Sequence, residues 1–334
     1  MSRGSSSFRR LSFLAASLTT ASMTSLGQAI LLSSTVVKQA NHPITSSPTL
    51  VLIHGLDSTR FTWNPFIERC AGKYNIVALD LRGHGESSLG DHPIASFSAA
   101  AIAADVRYTL QSLDQLTAPF VLVGHSMGGR IAMQYGADYP EDLAALVIED
   151  MDIKPRSVPP LDLEDKEARR LFNANRTFST WEEMKKSLSK WYAEARIDGW
   201  RVDGRIFERE DGNGWYSGIN PLAQFLALER VLGPSTSGGV GIEEWKKCVH
   251  RPFPLYLFVA ERGSAVQPDS MEEMLALATS IDSGEEKSSS SGAQQHVNVK
   301  VFQGASHSIH NTSPDNEFDK SIGEIMRSLN QESR

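Results

Sequence analysis

Residues Gly124-His125-Ser126-Met127-Gly128 set a serine between two glycines in the pattern G-x-S-x-G. An apolar run, Phe120-Val121-Leu122-Val123, precedes them and a helix-like segment, Arg130 to Tyr139, follows. In a strand–turn–helix context this pattern is a nucleophile elbow. The turn is sharp enough to force Ser126 into a strained backbone conformation, and glycines at 124 and 128 leave room for the neighbouring strand and helix. The strain presents the hydroxyl at the carboxyl end of the strand, where a base and a substrate can reach it. A second motif, His54-Gly55-Leu56-Asp57-Ser58, ends the apolar run Leu50-Val51-Leu52-Ile53. An amide just after a His-Gly pair at a strand end is the usual partner of the amide after the nucleophile. The Leu56 and Met127 N–H groups are therefore candidates to hold the oxyanion of a tetrahedral intermediate, where one donor is worth roughly 3 kcal/mol of barrier.

Two further motifs end strands. Ala78-Leu79-Asp80-Leu81-Arg82-Gly83-His84-Gly85-Glu86-Ser87 follows the run from Ile76, and Gly304-Ala305-Ser306-His307-Ser308-Ile309-His310 follows Val297 to Phe302. Four motifs in this order resemble the α/β-hydrolase superfamily over about residues 49–330, with a divergent middle. The resemblance implies an α/β fold: a mostly parallel eight-stranded sheet flanked by helices, with a helical cap inserted after the sixth strand. It also implies a base after the last strand, which among nine histidines points to His307. A neutral imidazole there can take the Ser126 proton and pass it to a leaving group. His310, three residues on, is read as packing or hydrogen-bonding nearby, so that His310→Ala is expected to be mild. His54 and His125 are read as structural, and His84 as part of its motif's turn.

The acid departs from the common pattern. Many relatives carry it in a Gly-x-x-Asp segment after the strand at 254–259; here Gly263 stands at the expected aspartate position. The alternative follows the strand at 144–149, in Glu149-Asp150-Met151-Asp152-Ile153-Lys154-Pro155. This combination resembles one subgroup, the bacterial acyl-ester and thioester esterases and the mitochondrial α/β-hydrolase-domain protein eleven, which carry Asp-Ile-x-Pro after one strand and Gly-x-x-Ser after the next. Asp152-Ile153-Lys154-Pro155 and Ser264 echo both features. Spacing from the nucleophile favours Asp150, 24 residues after Ser126; Asp152, Glu149 and Glu261 are the alternatives.

The chemistry implied is hydrolysis of a carboxylic ester or thioester of a small to medium acyl substrate through an acyl-enzyme. The same residues allow a transacylase or a C–C bond hydrolase, and a slow-turnover ligand receptor is the reading from another class. Serine at the elbow argues against dehalogenase or epoxide hydrolase chemistry, for which an aspartate would be expected. No metal or organic cofactor is implied.

These residues need a scaffold. Runs at about 50–54, 75–80, 120–124, 144–149, 254–259 and 297–302 alternate with helical patterns at Ile102–Leu116, Ile131–Tyr139, Ser270–Ile281 and Asp315–Leu329, the signature of βαβ units and a parallel sheet. A first strand is expected over Ile30–Val37. Between Asp152 and Arg251 the pattern turns amphipathic and helix-rich. Thr180-Trp181-Glu182-Glu183 reads as a capping box opening a helix through Ala195. Leu171, Phe172, Trp181, Met184, Leu188, Trp191, Trp200, Trp215 and Phe225 are read mainly as this region's own core. The organisation expected is a targeting segment over 1–28, a core at 29–152 and 251–334, and a cap at 153–250. Gly233 to Gly239 reads as a loop and Ser283 to Gln295 as a low-complexity insertion.

With 334 residues and 40% apolar content the chain can bury one large α/β domain plus an insertion. A net charge of −7 argues against nucleic acid as a partner. Two cysteines, Cys70 and Cys248, make no disulfide framework, and no run reaches the roughly 20 apolar residues of a membrane span. The chain from Met1 to Leu56 contains no Asp or Glu, carries Arg3, Arg9 and Arg10, and is rich in serine and threonine. That is the composition of an organelle transit peptide, mitochondrial or plastid; the competing reading is a secretory signal with Leu11 to Leu18 as its apolar region. A fusion of residues 1–40 to a fluorescent protein is expected to enter an organelle. Retention in the cytosol would refute the transit reading, and secretion would favour the alternative.

Overall fold

Runs that are apolar at every position, rather than at alternate ones, need cover on both faces and so belong in the middle of a parallel sheet. The computed structural model of the chain describes residues 29–39, 48–113, 119–157, 176–189, 192–202, 205–209, 211–279 and 297–332. The segment 1–28 expected to be a targeting sequence, the insertion over 283–295 and the large side chains Leu171, Phe172 and Trp191 lie outside them. The main sheet is built from β1 (Ser34–Val37), β2 (Leu50–Ile53), β3 (Ile76–Leu79), β4 (Phe120–His125), β5 (Leu143–Glu149), β9 (Leu255–Arg262) and β10 (Asn298–Ser306). β6 (Thr177–Phe178), β7 (Ile206–Glu208) and β8 (Trp215–Ser217) form a small separate sheet. Every residue of β2, β3 and β4 is buried.

The strand order is β1-β3-β2-β4-β5-β9-β10, parallel except for β1, which pairs antiparallel with β3. The chain runs outward from β2 to β3 and then crosses back to β4 on the other side of β2. The carboxyl ends of β2 and β4 therefore flank a topological switch point, the place where open α/β sheets bind ligands. Alternate residues of the strands feed two cores. Val51, Ile53, Val77, Leu79 and Leu122 pack against α3 (Ala99–Ser112), α4 (Met127–Asp138) and α8 (Ile242–Val249). Leu50, Leu52, Ile76, Ala78, Val121 and Val123 pack against α1 (Asn64–Arg69) and α11 (Glu317–Glu332).

The described sheet has seven strands rather than the eight expected. The first is also shorter than Ile30–Val37, because side chains take the amides a ladder would use. Ile30 donates to Asp105, Leu32 to Thr109 and Ser33 to Ser87.

The segment inserted after β5 differs in two ways from its helix-rich reading. It contains the β6-β8-β7 sheet, and the helix expected through Ala195 is two helices, α5 (Trp181–Leu188) and α6 (Glu194–Val202). Thr180 caps α5 through the Glu183 amide at 3.1 Å, while the Glu183 carboxylate reaches the Ser179 amide rather than that of Thr180. The break leaves Tyr192 edge-on to Trp200 and hydrogen-bonded to Gln224 on α7 (Pro221–Arg230). Met184, Leu188, Ile197, Trp200, Ile206 and Ile219, with Trp181 and Trp215 at their margin, form a third core confined to this segment.

The Asp80–Ser87 motif is a buried electrostatic joint. Arg82 forks onto Asp105 of α3 at 2.6 and 2.7 Å with both side chains essentially buried, and the same carboxylate holds the Ile30 amide. Removing one partner of such a pair strands the other charge, which typically costs about 3–5 kcal/mol. Asp105→Ala should lose that much stability in urea unfolding; a loss of under about 1 kcal/mol would contradict the pairing.

Candidate active site

The elbow is formed as its glycines require. Ser126 sits between β4 and α4 at φ 53° and ψ −122°, a conformation few side-chain-bearing residues adopt. A Cβ at Gly124 would lie 2.3 Å from the Gly128 carbonyl oxygen, and one at Gly128 would lie 2.5 Å from the His54 carbonyl oxygen. Both are sterically excluded, so the serine is held by the crossing of β2, β4 and α4. Its amide donates to the Glu149 carbonyl at 2.8 Å, which ties the elbow to the end of β5.

A continuous chain of hydrogen bonds leads away from Ser126. The Ser126 hydroxyl lies 2.9 Å from His307 Nε2, and His307 Nδ1 lies 2.6 Å from Asp150 Oδ2. With the Nδ1 proton donated to the carboxylate, Nε2 is the bare nitrogen that accepts from the hydroxyl. The Asp150 side chain is fully buried, whereas His307 is 38% exposed. Asp150 accepts three further bonds: the Ala260 amide at 2.9 Å, the Ser264 hydroxyl at 2.6 Å and the Ala265 amide at 3.0 Å. Burial alone would raise its pKa. The bonds from His307, Ala260, Ser264 and Ala265 outweigh burial and hold the carboxyl below its ordinary value.

The other candidate acids are engaged elsewhere. Asp152 is buried in ion pairs with Arg130 of α4 and Arg156. Glu261 accepts from the Gly304 amide at 2.7 Å, at the turn inside β10. Glu149 bonds the amide of His310 at 2.9 Å and its Nδ1 at 2.8 Å, with both side chains fully buried. Of the four carboxylates, Asp150 is the one in contact with His307. At Gly263, φ is +60° and a Cβ would meet nothing within 4 Å; the adjacent Ser264 instead supports the acid carried by β5.

Leu56 and Met127, the two backbone donors expected from sequence, lie beside Ser126: Met127 follows it in the chain, and Gly55, which precedes Leu56, packs against it. A Cβ on Gly55 would come within 3.0 Å of the Ser126 Cβ, so the loop that carries Leu56 lies against the serine. Met127 opens α4, where an amide has no intrahelical acceptor, and neither amide donates to an acceptor among the described residues.

Buried histidines brace the loop of His307. His125 donates from Nε2 to the His307 carbonyl at 3.0 Å. His310 stacks 4.0 Å from Trp63 and holds Glu149. His310 thus packs and hydrogen-bonds as read from sequence, and His310→Ala, expected to be mild for activity, removes the side-chain partner of a buried carboxylate and should destabilise by about 3 kcal/mol or more. His54 donates from Nδ1 to the Gly55 carbonyl and accepts the Leu81 amide on Nε2, so it is a neutral imidazole joining two motifs. His84 bonds the Arg82 carbonyl inside its own turn.

Among the described residues, no group of three or more His, Cys, Asp or Glu side chains could hold a metal ion, and no helix is long and apolar enough to cross a membrane. Cys70 and Cys248 are both buried free thiols.

Residues 50–319 match the model of the alpha/beta hydrolase family, and the chain belongs to that family. It is 24% identical over 273 residues to the 2-(acetamidomethylene)succinate hydrolase of Mesorhizobium japonicum, covering 81% of this chain and 85% of that protein. Two further similarities are shorter. An uncharacterised protein of Mycobacterium bovis is 38% identical over 103 residues, 31% of this chain and 29% of the relative. Epoxide hydrolase 4 of Mus musculus is 35% identical over 101 residues, 30% and 27% of the two chains. Among solved structures, a marine microorganism esterase superposes with a TM-score of 0.59 at 17% identity, covering 89% of this chain and all of that one.

Burial pushes His54, His84 and His125 down to about 3. In the unfolded chain these histidines take up protons below about pH 6.5. The unfolded state therefore binds more protons between these limits, and stability is lost as pH falls through that window, by about 1.4 kcal/mol per pH unit for each histidine. Urea midpoints measured from pH 7 to 4 should fall steeply, and a single His125→Asn change should make the slope shallower. A flat profile below pH 6.5 would contradict the neutral, buried state of these rings.

Proposed function

We propose that this chain is a serine hydrolase that cleaves carboxylic esters or thioesters of small to medium acyl groups through an acyl-enzyme. The observation that carries the reading is the unbroken hydrogen-bond chain from Ser126 through His307 to the buried Asp150, at an elbow that holds the serine in a strained conformation. In this reading His307 takes the Ser126 proton as the hydroxyl attacks the carbonyl carbon. The Leu56 and Met127 amides bear the charge that develops on the carbonyl oxygen. His307 then protonates the leaving alcohol or thiol and activates the water that releases the acid. Asp150 keeps the ring in the tautomer that leaves Nε2 bare, and stabilises the imidazolium while it lasts.

The subgroup of acyl-ester and thioester esterases remains our assignment. It is supported by the acid after β5 and by Ser264, which bonds that acid from the loop after β9. Organelle targeting through the first 28 residues belongs to the same proposal. The similarity over 273 residues to 2-(acetamidomethylene)succinate hydrolase favours, as the second reading, related cleavage of a non-ester acyl bond by the same residues. A panel of p-nitrophenyl esters and acyl thioesters of graded chain length separates the two. Turnover with a pre-steady-state burst of the leaving group supports the first reading. A folded protein that turns over none of them contradicts it.

Asp150→Asn should lower kcat by up to about 10⁴-fold, because an amide leaves the ring in the wrong tautomer and the imidazolium unstabilised. Glu261→Gln should stay within a few-fold of wild type. Asp152→Asn should lower stability through the loss of its Arg130 and Arg156 partners while keeping kcat per folded molecule within a few-fold. A larger kcat loss in Glu261→Gln or Asp152→Asn than in Asp150→Asn would reverse the assignment of the acid.

A further inference from the structure

Asp57 follows Leu56 directly and is one of five residues other than glycine with positive φ among the described residues, at 52°. Only an unusual backbone turn lets the chain leave β2 past Ser126 and redirect at this point, and such a turn persists where its surroundings hold it. What holds it comes from the inserted segment. The Asp57 carboxylate, 4% exposed, accepts from Arg196 of α6 at 2.7 Å and from Gln224 of α7 at 2.8 Å. Its carbonyl accepts from Arg205, which precedes β7, at 2.6 Å. These donors lie 139, 167 and 148 residues along the chain. They are braced in turn: Tyr192 bonds the Gln224 side-chain oxygen, and the Arg196 guanidinium lies over the rings of Tyr192 and Trp200, at 5.6 and 5.1 Å. Trp200 belongs to the core of the inserted segment.

We propose that Asp57 is a positioning residue through which the inserted segment fixes the Leu56 amide against Ser126, so that this segment sets the rate of the chemical step as well as the shape of the substrate site. The proposal rests on the reading of the Leu56 amide as an oxyanion donor. Three bonds from the inserted segment grip the residue next to that amide, while Gly55 on its other side is packed against the Ser126 Cβ. The inserted segment cannot shift over the sheet without either breaking these bonds or turning the Leu56–Asp57 peptide. A donor aimed a few tenths of an ångström or a few tens of degrees away from the developing oxyanion loses most of its effect in the transition state and little in the ground state. Burial pushes the Asp57 carboxyl up to about 6 despite Arg196 and Arg205 beside it, so keeping a charge here is costly for the fold and depends on these partners.

The test uses the full chain with Arg196→Met, Gln224→Leu, Asp57→Asn and Asp57→Gly. Arg196 is half exposed, so its replacement leaves the core intact, and glycine at 57 keeps the left-handed backbone while removing the clamp. Arg196→Met and Gln224→Leu should each lower kcat on a short p-nitrophenyl ester by about tenfold with KM within about twofold. Asp57→Gly should lose as much, and Asp57→Asn combined with Arg196→Met should lose little more than Asp57→Asn alone. Amide hydrogen exchange should speed up over residues 55–59 in Arg196→Met and stay unchanged over 128–132. Unchanged kcat in both Arg196→Met and Gln224→Leu, a loss confined to KM, or additive losses would overturn the proposal. If the wild-type chain hydrolyses no ester, the hydrolase reading fails by itself; unaltered exchange at 55–59 in Arg196→Met overturns the clamp independently.

Discussion

A carboxylate withdrawn from water must be solvated by the protein, or it gives up its charge. Asp150 is fully buried and remains the charge around which the site is arranged. Its four donors come from three places: the Ala260 amide on β9, Ser264 and Ala265 in the loop that follows, and His307 after β10. That demand fixes how the carboxyl ends of three neighbouring strands must meet. It also explains how the acid can sit on β5 while Gly263 occupies the position after β9. The backbone of β9 and Ser264 serve the carboxylate instead of supplying it.

The neighbouring residue makes a parallel arrangement. Glu149 ends β5 and Asp150 follows it at φ 52°, a left-handed turn in the backbone, and the two carboxylates reach different histidines of one loop. Asp150 holds His307, which is open to solvent on one side, and Glu149 holds His310, which is sealed beside Trp63. For Glu149, burial alone would raise the pKa, and the contacts with His310 and His125 outweigh it, so the carboxylate stays ionised. The loop is thus pinned at the His307 imidazole and again three residues on. A hydrogen bond from Ser126 to His307 requires the ring to stay within a few tenths of an ångström, and two anchors three residues apart provide that restraint.

What was legible in the sequence was local. The elbow and the His-Gly pair each follow an apolar run that can only be a buried strand, and their glycines have steric work that a single sequence reveals; His307 follows an alternating, largely exposed strand and was legible through the resemblance. The acid was only partly legible, because four carboxylates cluster near the ends of two adjacent strands. Choosing among them needs to know that Arg130 on α4 claims Asp152, that Glu261 serves the turn at Gly304 and that Glu149 belongs to His310. Strands of two or three residues, as in β6, β7 and β8, carry no usable alternation, so the small sheet read as helix-rich sequence. The shortened β1 followed from side chains of Asp105, Thr109 and Ser87 capturing its amides, contacts 54 to 77 residues away. The Asp57 clamp was invisible for the same reason: its partners are ordinary surface-type residues until the fold brings them together.

The central claim is that Ser126 is a nucleophile made reactive by His307 and Asp150. The most direct measurement is intact-mass spectrometry of the protein treated with a fluorophosphonate, followed by peptide mapping. The account predicts one adduct per chain, located on Ser126. Stoichiometric labelling of a different residue, or a folded protein that is never labelled, would contradict it.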